Sequence, residues 1–314
     1  MKSSSLRVLY KKELADNLHS QRFIIILLLV AITGLSSIFT AAYGMRDATD
    51  NSNNDFIFLQ LFTTSSGSIP SFTAFMSFLG PLTGLALGFD AINNEVNRGT
   101  LSKLLAQPIP RDAVINGKFL AGVSVLSIMV FSLGLAISSI GIIAFGIPPT
   151  FEELMRIFVF LLITILYMSL WLAVSQMFSL FFRQSATSAL ACIALWLFLT
   201  VFAELLAGVI ADAVYPVSSY SVLDNALKNA NMKLMLNRIS PSTLYNECSI
   251  YLLKPTVRTT SFVTERDLIG AVAGALPLTQ SILLLWPHLI TMAALTMISF
   301  AVSYINFMSK EIRA

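Results

Sequence analysis

The sequence predicts an all-α membrane protein with six transmembrane helices. Of its 314 residues, 56% are hydrophobic and 12% are charged, whereas ordinary soluble domains carry roughly 25% charged residues. The mean hydropathy of +0.77 points the same way. A span needs about 20 apolar residues, and six stretches approach or exceed that length: 23–42, 71–89, 114–145, 157–182, 186–210 and 281–308.

Residues 1–22 precede the first span and are predicted to form a cytoplasmic amphipathic helix. Apolar residues recur there at steps of three and four, at Leu6, Leu9, Tyr10, Leu14 and Leu18. Lysines and arginines lie between them. Such a helix lies in the membrane interface, with its basic face toward anionic headgroups. A secretory signal is the alternative, but the uncharged run after it is long enough to span.

The charges between spans predict that both termini are cytoplasmic. The loop 44–70 is acidic and is therefore placed outside, whereas the turn at Arg183 is basic and is placed inside. Thr150 and Glu153 have the spacing of a capping box before the fourth span. Residues 211–279 are predicted to form a small helical extracytoplasmic domain, with one helix beginning at Ser240-Pro241.

A short polar segment connects the second and third spans. Within it, Leu101, Leu104, Leu105 and Pro108 follow the spacing of one helix face, so a short amphipathic helix along the membrane surface is predicted. Gly99 is expected to break or bend the chain just before this helix. A plain solvated loop is the alternative interpretation.

This segment resembles the cytoplasmic signature of the ABC-2 type transporter permeases, in particular their NosY-like branch. The resemblance extends over roughly thirty residues and rests on Asp90-Ala-Ile92, Glu95, Arg98-Gly99-Thr100-Leu101, Leu104-Leu105, Pro108, Arg111 and Gly117-Lys118. Asn97 departs from the pattern, because a second acidic residue is expected there. The short sequence stretches around Ser240-Pro241 and Lys254-Pro255 also resemble the NosY-like branch.

The resemblance implies a permease subunit that works with two separate ATP-binding cassette ATPase subunits and with a second copy of itself. In that family the segment between spans two and three contacts the ATPase, and the Lys12-Glu13-Leu14 region suggests an elbow helix beside it. The residues expected at this coupling interface are Asp90, Glu95, Gly99, Thr100, Leu101, Leu104, Leu105, Pro108, Arg111, Lys118, Lys12 and Glu13.

The chain itself carries no Gly-x-x-x-x-Gly-Lys-Ser/Thr phosphate loop, so ATP and Mg are expected on the partner and no cofactor is expected here. The two cysteines do not have metal-ligand spacing, and no metal site is expected. No basic patch interleaved with aromatics predicts nucleic-acid binding. Glu204 and His288 are the candidates for a transport pathway, against the alternative that both are packing residues.

The sequence therefore predicts a non-catalytic permease subunit in the plasma membrane, an exporter in the most direct interpretation. The NosY-like resemblance implies a role in maturing a copper enzyme, with lipid around the bundle and an extracytoplasmic protein receiving the substrate. The alternative is a membrane-embedded enzyme or a sensory or scaffold protein whose outer domain binds a ligand.

Overall fold

The protein is all-helical throughout the part of the chain that the computed structural model describes. That part comprises residues 2–48, 56–65, 69–107, 109–146, 148–216, 223–257 and 275–309. The helices are α1 Lys2–Leu18, α2 Gln21–Ala48, α3 Ile57–Thr63, α4 Phe72–Gly88, α5 Asn93–Asn97, α6 Thr100–Leu105, α7 Arg111–Phe145, α8 Phe151–Phe181, α9 Ser185–Leu197, α10 Ala203–Val214, α11 Leu223–Asn237, α12 Pro241–Leu253 and α13 Leu278–Ser309.

Five helical stretches in the described residues are long and apolar enough to cross a membrane, and a sixth candidate is a bent pair. The five contain α4, α7, α8, α9 with α10, and α13, and their bounds agree with the predicted spans within a few residues at most ends. The bent pair is α1 with α2, which meet at 60°. A multi-pass all-helical membrane protein is thus confirmed, while the count of six stays a prediction.

Helix α8 is the centre of the bundle. Most of its residues are buried, including Tyr167, Trp171 and Leu172, and it contacts α4, α7, α9, α12 and α13. Thr150 and Glu153 form the predicted capping box at its beginning, with both reciprocal hydrogen bonds present. The helix has 31 residues and a length of about 46 Å at 1.5 Å per residue.

Glycines on α4 let its backbone lie directly against α8. A Cβ at Gly84 would lie 2.5 Å from the Met168 carbonyl oxygen, and one at Gly88 would lie 1.9 Å from the Ser175 hydroxyl. Small residues four positions apart are a common means of close helix contact in membranes. The α4–α8 pair is therefore a tight unit, and it leads directly into the polar segment after α4.

The described part of the region 211–279 contains the end of α10, the helices α11 and α12 and the beginning of α13, and α12 packs into the bundle. Ser240 and Pro241 begin α12 as predicted, and the helix ends before Lys254. Tyr245 is fully buried and stacks on Tyr167 of α8, with ring centroids 4.5 Å apart. Residues 258–274 lie outside the described residues, and a separate extracytoplasmic domain stays a prediction.

Candidate functional site

The polar segment after α4 is attached to the end of α8 through its backbone. The amides of Ile92 and Asn93 both donate to the Ser179 hydroxyl, at 3.0 and 3.1 Å. The Asn93 side chain also accepts a hydrogen bond from the Ser185 hydroxyl, at 3.0 Å. The beginning of the segment is therefore fixed to the junction between α8 and α9.

Gly99 separates the two short helices of the segment, as predicted. Its φ of +66° lies in the left-handed region, and it is the N-cap of α6. A side chain added there would meet nothing within 4 Å. The backbone conformation, rather than space, therefore favours glycine.

Leu101 and Leu104, the two members of the predicted α6 face whose side chains the structure describes, pack inside this chain. Leu101 is 1% exposed and Leu104 is partly buried in a small apolar cluster with Leu9 of α1 and Phe307 of α13. The cluster is separate from the main core and also contains Ile92, Val114, Ile115 and Leu180. The coupling segment and both ends of the described chain thus share one apolar contact.

Lys118 joins the N-terminal helix to the polar segment. Its ammonium lies 3.0 Å from Glu13 of α1 and 2.7 Å from Glu95 of α5, and its side chain is 6% exposed. Lys12 lies 3.2 Å from the other oxygen of Glu13. We call Lys12, Glu13, Glu95 and Lys118 the Lys118 cluster. Its formal charges balance, which reduces the cost of burying Lys118.

A second ion pair joins α2 to the start of the segment. The Arg22 guanidinium pairs with Asp90, and it also lies over the Phe89 ring at 5.4 Å from the centroid. Asp90 therefore fixes the beginning of α2 beside the end of α4.

Asn97 makes a contact that the family resemblance does not predict. Its side-chain amide donates a hydrogen bond of 2.8 Å to the Arg183 backbone carbonyl after α8. A carboxylate at this position has no hydrogen to donate. The departure from the family pattern therefore adds a link between α5 and the α8–α9 turn.

The structure brings most of the predicted coupling residues to this end of the bundle, and Thr100, Lys103 and Val96 are exposed on its surface. Arg111 is partly exposed in the first turn of α7. The side chain of Leu105 and the whole of Pro108 lie outside the described residues. Contact with an ATPase stays a prediction for every residue named.

The two candidates for a transport pathway are not brought together by any contact among the described residues. Glu204 is exposed on α10, directly after a π-helical segment, Phe198–Phe202. His288 of α13 is buried and pairs with Glu247 of α12. The pairing agrees with the interpretation of His288 as a packed polar residue.

Sequence reasoning missed a buried arginine at the opposite end of α8. Arg156 is 0% exposed and binds Glu152 one turn earlier at 2.8 Å. It also donates to the Leu252 carbonyl at 3.0 Å, to the Ser281 hydroxyl at 3.2 Å and to the Leu276 carbonyl. The Glu152–Arg156 spacing was a visible signal, but its carbonyl partners were not.

Further polar links lie on the helices that this arginine joins. Glu153 accepts a hydrogen bond of 3.0 Å from the Phe58 amide of α3. Arg238 pairs with Glu247 at 3.0 Å, and the same carboxylate binds His288. We call Glu152, Glu153 and Arg156 the Arg156 cluster. It joins α3, α8, α12 and α13.

The described residues contain no group of three or more His, Cys, Asp or Glu side chains that could hold a metal ion. Both cysteines are buried and free. Burial raises the pKa of the Cys248 thiol to about 12, so it remains protonated.

Comparison with known proteins gives a family and two relatives. Residues 7–312 match the family model described as ABC-2 family transporter protein. A protein of Pseudomonas aeruginosa described as probable ABC transporter permease protein NosY is 29% identical over 202 residues, which cover 62% of this chain and 66% of that protein. A protein of Stutzerimonas stutzeri with the same description is 31% identical over 140 residues, or 44% and 46% of the two chains. The chain thus matches just under two thirds of the first relative's length and less than half of the second's.

Proposed function

The chain belongs to the ABC-2 family of transporter proteins, and from that membership we propose that it is the membrane-spanning permease subunit of an ATP-binding cassette transporter. The observation that carries the proposal is the match of the family model to almost the whole chain, residues 7–312. The two relatives described as permeases support it.

The proposed topology has six spans, with α2 as the first and both termini in the cytoplasm. The basic residues at the α1–α2 junction, in the segment after α4 and in the α8–α9 turn then share the inner side. The α8 N-terminus, with Glu152 and Glu153, lies on the outer side. In the same orientation, α11 and α12 connect to the outer side, and α12 reaches into the bundle as far as Tyr167 near the middle of α8.

Energy for transport comes from two separate ATPase subunits, because this chain has no phosphate loop of its own. The proposed contact is the surface formed by α5, α6 and the adjoining face of α1. Val96 is 49% exposed there and Val8 is 69% exposed, which gives a partner apolar area between charged residues. Glu95 and Arg111 are the proposed coupling residues within and beside this surface.

A movement of the ATPase against this surface is transmitted to the spans through direct side-chain contacts. Lys118 lies about two turns inside α7 and binds Glu13 and Glu95 together, so α1 and α5 move with α7. Ser179 transmits the same displacement to α8. Tightly packed helices respond as rigid bodies between two arrangements, which is how access to the two sides alternates.

A second copy of the chain completes the proposed pathway. The span formed by α9, the π-helical segment and α10 is the least buried of the five candidates among the described residues. Glu204 is exposed on that span, and a carboxylate facing lipid is unfavourable. A second copy with a water-filled seam between the two removes this cost.

Export is the proposed direction, and the substrate class follows the NosY-like resemblance. A species used in assembling a copper enzyme outside the membrane, such as a sulfur compound, would pass to a receiving extracytoplasmic protein. Neither a copper ligand set nor an ATP site is assigned to this chain.

The test is co-purification of the full chain with a co-expressed ATP-binding cassette ATPase, followed by ATP hydrolysis and transport in proteoliposomes. Val96→Asp should abolish co-purification while the chain still inserts. Val214→Asp is the matched control, because Val214 is 52% exposed at the far end of α10, and it should co-purify normally. Equal co-purification of both variants contradicts the proposed surface, and full activity without an ATPase contradicts the proposed function.

A further inference from the structure

Two adjoining cavities lie along α2 and α4, one also lined by α9 and the other also lined by residues of α1 and α5. One is almost entirely apolar and has a volume of about 330 Å³, with walls that include Leu29, Leu82 and Ile193. The other, also about 330 Å³, is polar and contains Arg22 and Asp90. Ile26 and Ala86 line both. The two therefore form one amphipathic site, of a size within the range of small-molecule sites, about 300–1,000 Å³ each.

The walls of the apolar cavity carry almost no hydrogen-bonding groups that an occupant would have to satisfy. Thr83 is the one hydroxyl in its wall, and that hydroxyl donates to the Leu79 carbonyl of its own helix at 2.9 Å. The remaining lining consists of aliphatic side chains, Phe89, alanines and Cys192. A hydrocarbon chain suits such walls, and a polar solute does not.

The polar cavity presents one positive and one negative group side by side. One terminal nitrogen of Arg22 binds Asp90, and the Arg22 side chain is 58% exposed, so its other N–H groups are accessible. Asn17, Gln21 and Asn94 add neutral amides to the wall. A guanidinium binds phosphate oxygens with charge-assisted hydrogen bonds, and a carboxylate binds an ammonium group.

We infer that this site binds one phospholipid with a zwitterionic, primary-amine headgroup, of the phosphatidylethanolamine class. Its phosphate lies against Arg22, its ammonium against Asp90, and one acyl chain enters the apolar cavity past Ile26 and Ala86. An anionic headgroup would add an unpaired negative charge beside Asp90. A quaternary choline headgroup has no N–H to donate to that carboxylate.

The position of the site agrees with a lipid entering from one leaflet. Ile193 lies in the third turn of α9, and Ala86 lies two residues before the end of α4. Arg22 lies at the beginning of α2, where a long basic side chain reaches the headgroup level. Assignment to the inner leaflet rests on the proposed topology, whereas lipid binding itself does not.

The experiment measures lipid retained by the purified full chain in detergent by native mass spectrometry. The protein is equilibrated with mixed micelles that contain equal amounts of phosphatidylethanolamine, phosphatidylglycerol and phosphatidylcholine with the same acyl chains. We expect one phosphatidylethanolamine per chain, retained about tenfold better than either competitor, as expected for one charge-assisted hydrogen bond.

Two variants separate the headgroup from the acyl chain. Arg22→Gln should lower retention and remove the preference among headgroups. Ile193→Trp fills the apolar cavity from its open side and should abolish retention. Leu190→Trp is the matched control, because Leu190 is 70% exposed on the same helix and does not line the cavity. It should retain lipid as the wild type does.

Several outcomes would overturn the inference. Equal loss in the Ile193→Trp and Leu190→Trp variants would show that retained lipid is general annular lipid. A preference for phosphatidylglycerol would overturn the zwitterionic headgroup. An Ile193→Cys variant that crosslinks efficiently to its equivalent in a second copy would show that protein covers the cavity. None of these outcomes bears on association with an ATPase, so failure here leaves the proposed function standing.

Discussion

The two ends of α8 carry polar clusters of opposite construction. At the C-terminal end, the Lys118 cluster joins α1, α5 and α7 through side chains of graded exposure, from 6% for Lys118 through 22% for Glu95 to 54% for Lys12. At the N-terminal end, Arg156 is completely buried and binds carbonyl oxygens of residues 96 and 120 positions away. One end is a set of balanced charges that is open to solvent at Lys12 and in part at Glu95, and the other is a fully buried arginine that binds backbone carbonyls.

This difference indicates where the bundle is built to move. Ion pairs near water can be exchanged at small cost, because solvent replaces a lost partner. A buried guanidinium that satisfies backbone carbonyls cannot release them without a large penalty. Displacements applied at the Lys118 end should therefore reach α12 and α13 as movements of whole helices, with the Arg156 end intact.

Arg156→Ala should have the largest effect on stability. It removes the donors for the Leu252 and Leu276 carbonyls and leaves a cavity, at a cost of about 4 kcal/mol in the free energy of unfolding. Thermal unfolding in detergent measures this loss. Arg183→Ala, at an exposed arginine in the α8–α9 turn, is the control and should change stability little. Equal effects of the two variants would remove the distinction between the ends.

Lys118→Met should have a smaller effect on stability and a larger one on coupling. It leaves Glu13 and Glu95 without their shared cation, and partial access to water limits the cost to about 2 kcal/mol. In complexes with an ATPase, the number of molecules transported per ATP should fall for Lys118→Met, Glu95→Gln and an Arg111→Gln variant. Normal coupling in all three would contradict the coupling surface.

Glu247→Gln should change how stability depends on pH. Burial alone would raise the Glu247 pKa, but the hydrogen bond to His288 and the charge of Arg238 outweigh it and hold the pKa below its ordinary value of 4.5. Since the folded pKa is lowered, the stabilisation is fully present above about pH 4.5 and is lost as the pH falls through the folded pKa.

The Gln variant should therefore be about 1.5 kcal/mol less stable than the wild type at pH 7. The difference should shrink below pH 4.5. Unfolding curves across pH measure both effects, and Glu204→Gln, at an exposed carboxylate of α10, is the control. A difference that stays constant with pH would show that the Glu247 charge contributes nothing.

Asn97→Asp should have the smallest effect. The change restores the acidic residue of the family pattern but removes the donor to the Arg183 carbonyl, at a cost of about 0.5 kcal/mol. Hydrogen exchange of residues 93–97 should become faster, because α5 loses its link to the α8–α9 turn. Asn94→Asp is the comparison on the same helix. Slower exchange in Asn97→Asp would contradict the role assigned to this amide.

Much of the fold was predictable because long apolar stretches have few alternatives in a membrane. The spans, the Thr150–Glu153 capping box, the beginning of α12 at Ser240-Pro241 and the bend at Gly99 all appear where expected. Each depends on residues that are neighbours in the chain. The packing of α12 into the main core was not predicted, because its partners lie on α4, α8 and α13.

The candidate site was predictable as a set of residues but not as an arrangement. The segment after α4 was identified from its pattern, yet nothing in that pattern showed that Lys118 would bind Glu13 and Glu95 together. Leu101 was expected at an interface with a partner, and its side chain is buried within this chain. Any effect of Leu101 on a partner is therefore indirect.

The sequence by itself determined that this chain is helical, lies in a membrane and belongs among transporter proteins, because hydrophobic length and local motifs are properties of consecutive residues. Tertiary structure alone decided which charges meet, since Arg156 and Lys118 bind groups that are separated by up to 125 positions in the chain. A buried charge needs partners, and the fold can supply them from any part of the chain. The order of the residues in the sequence therefore does not show which groups will meet.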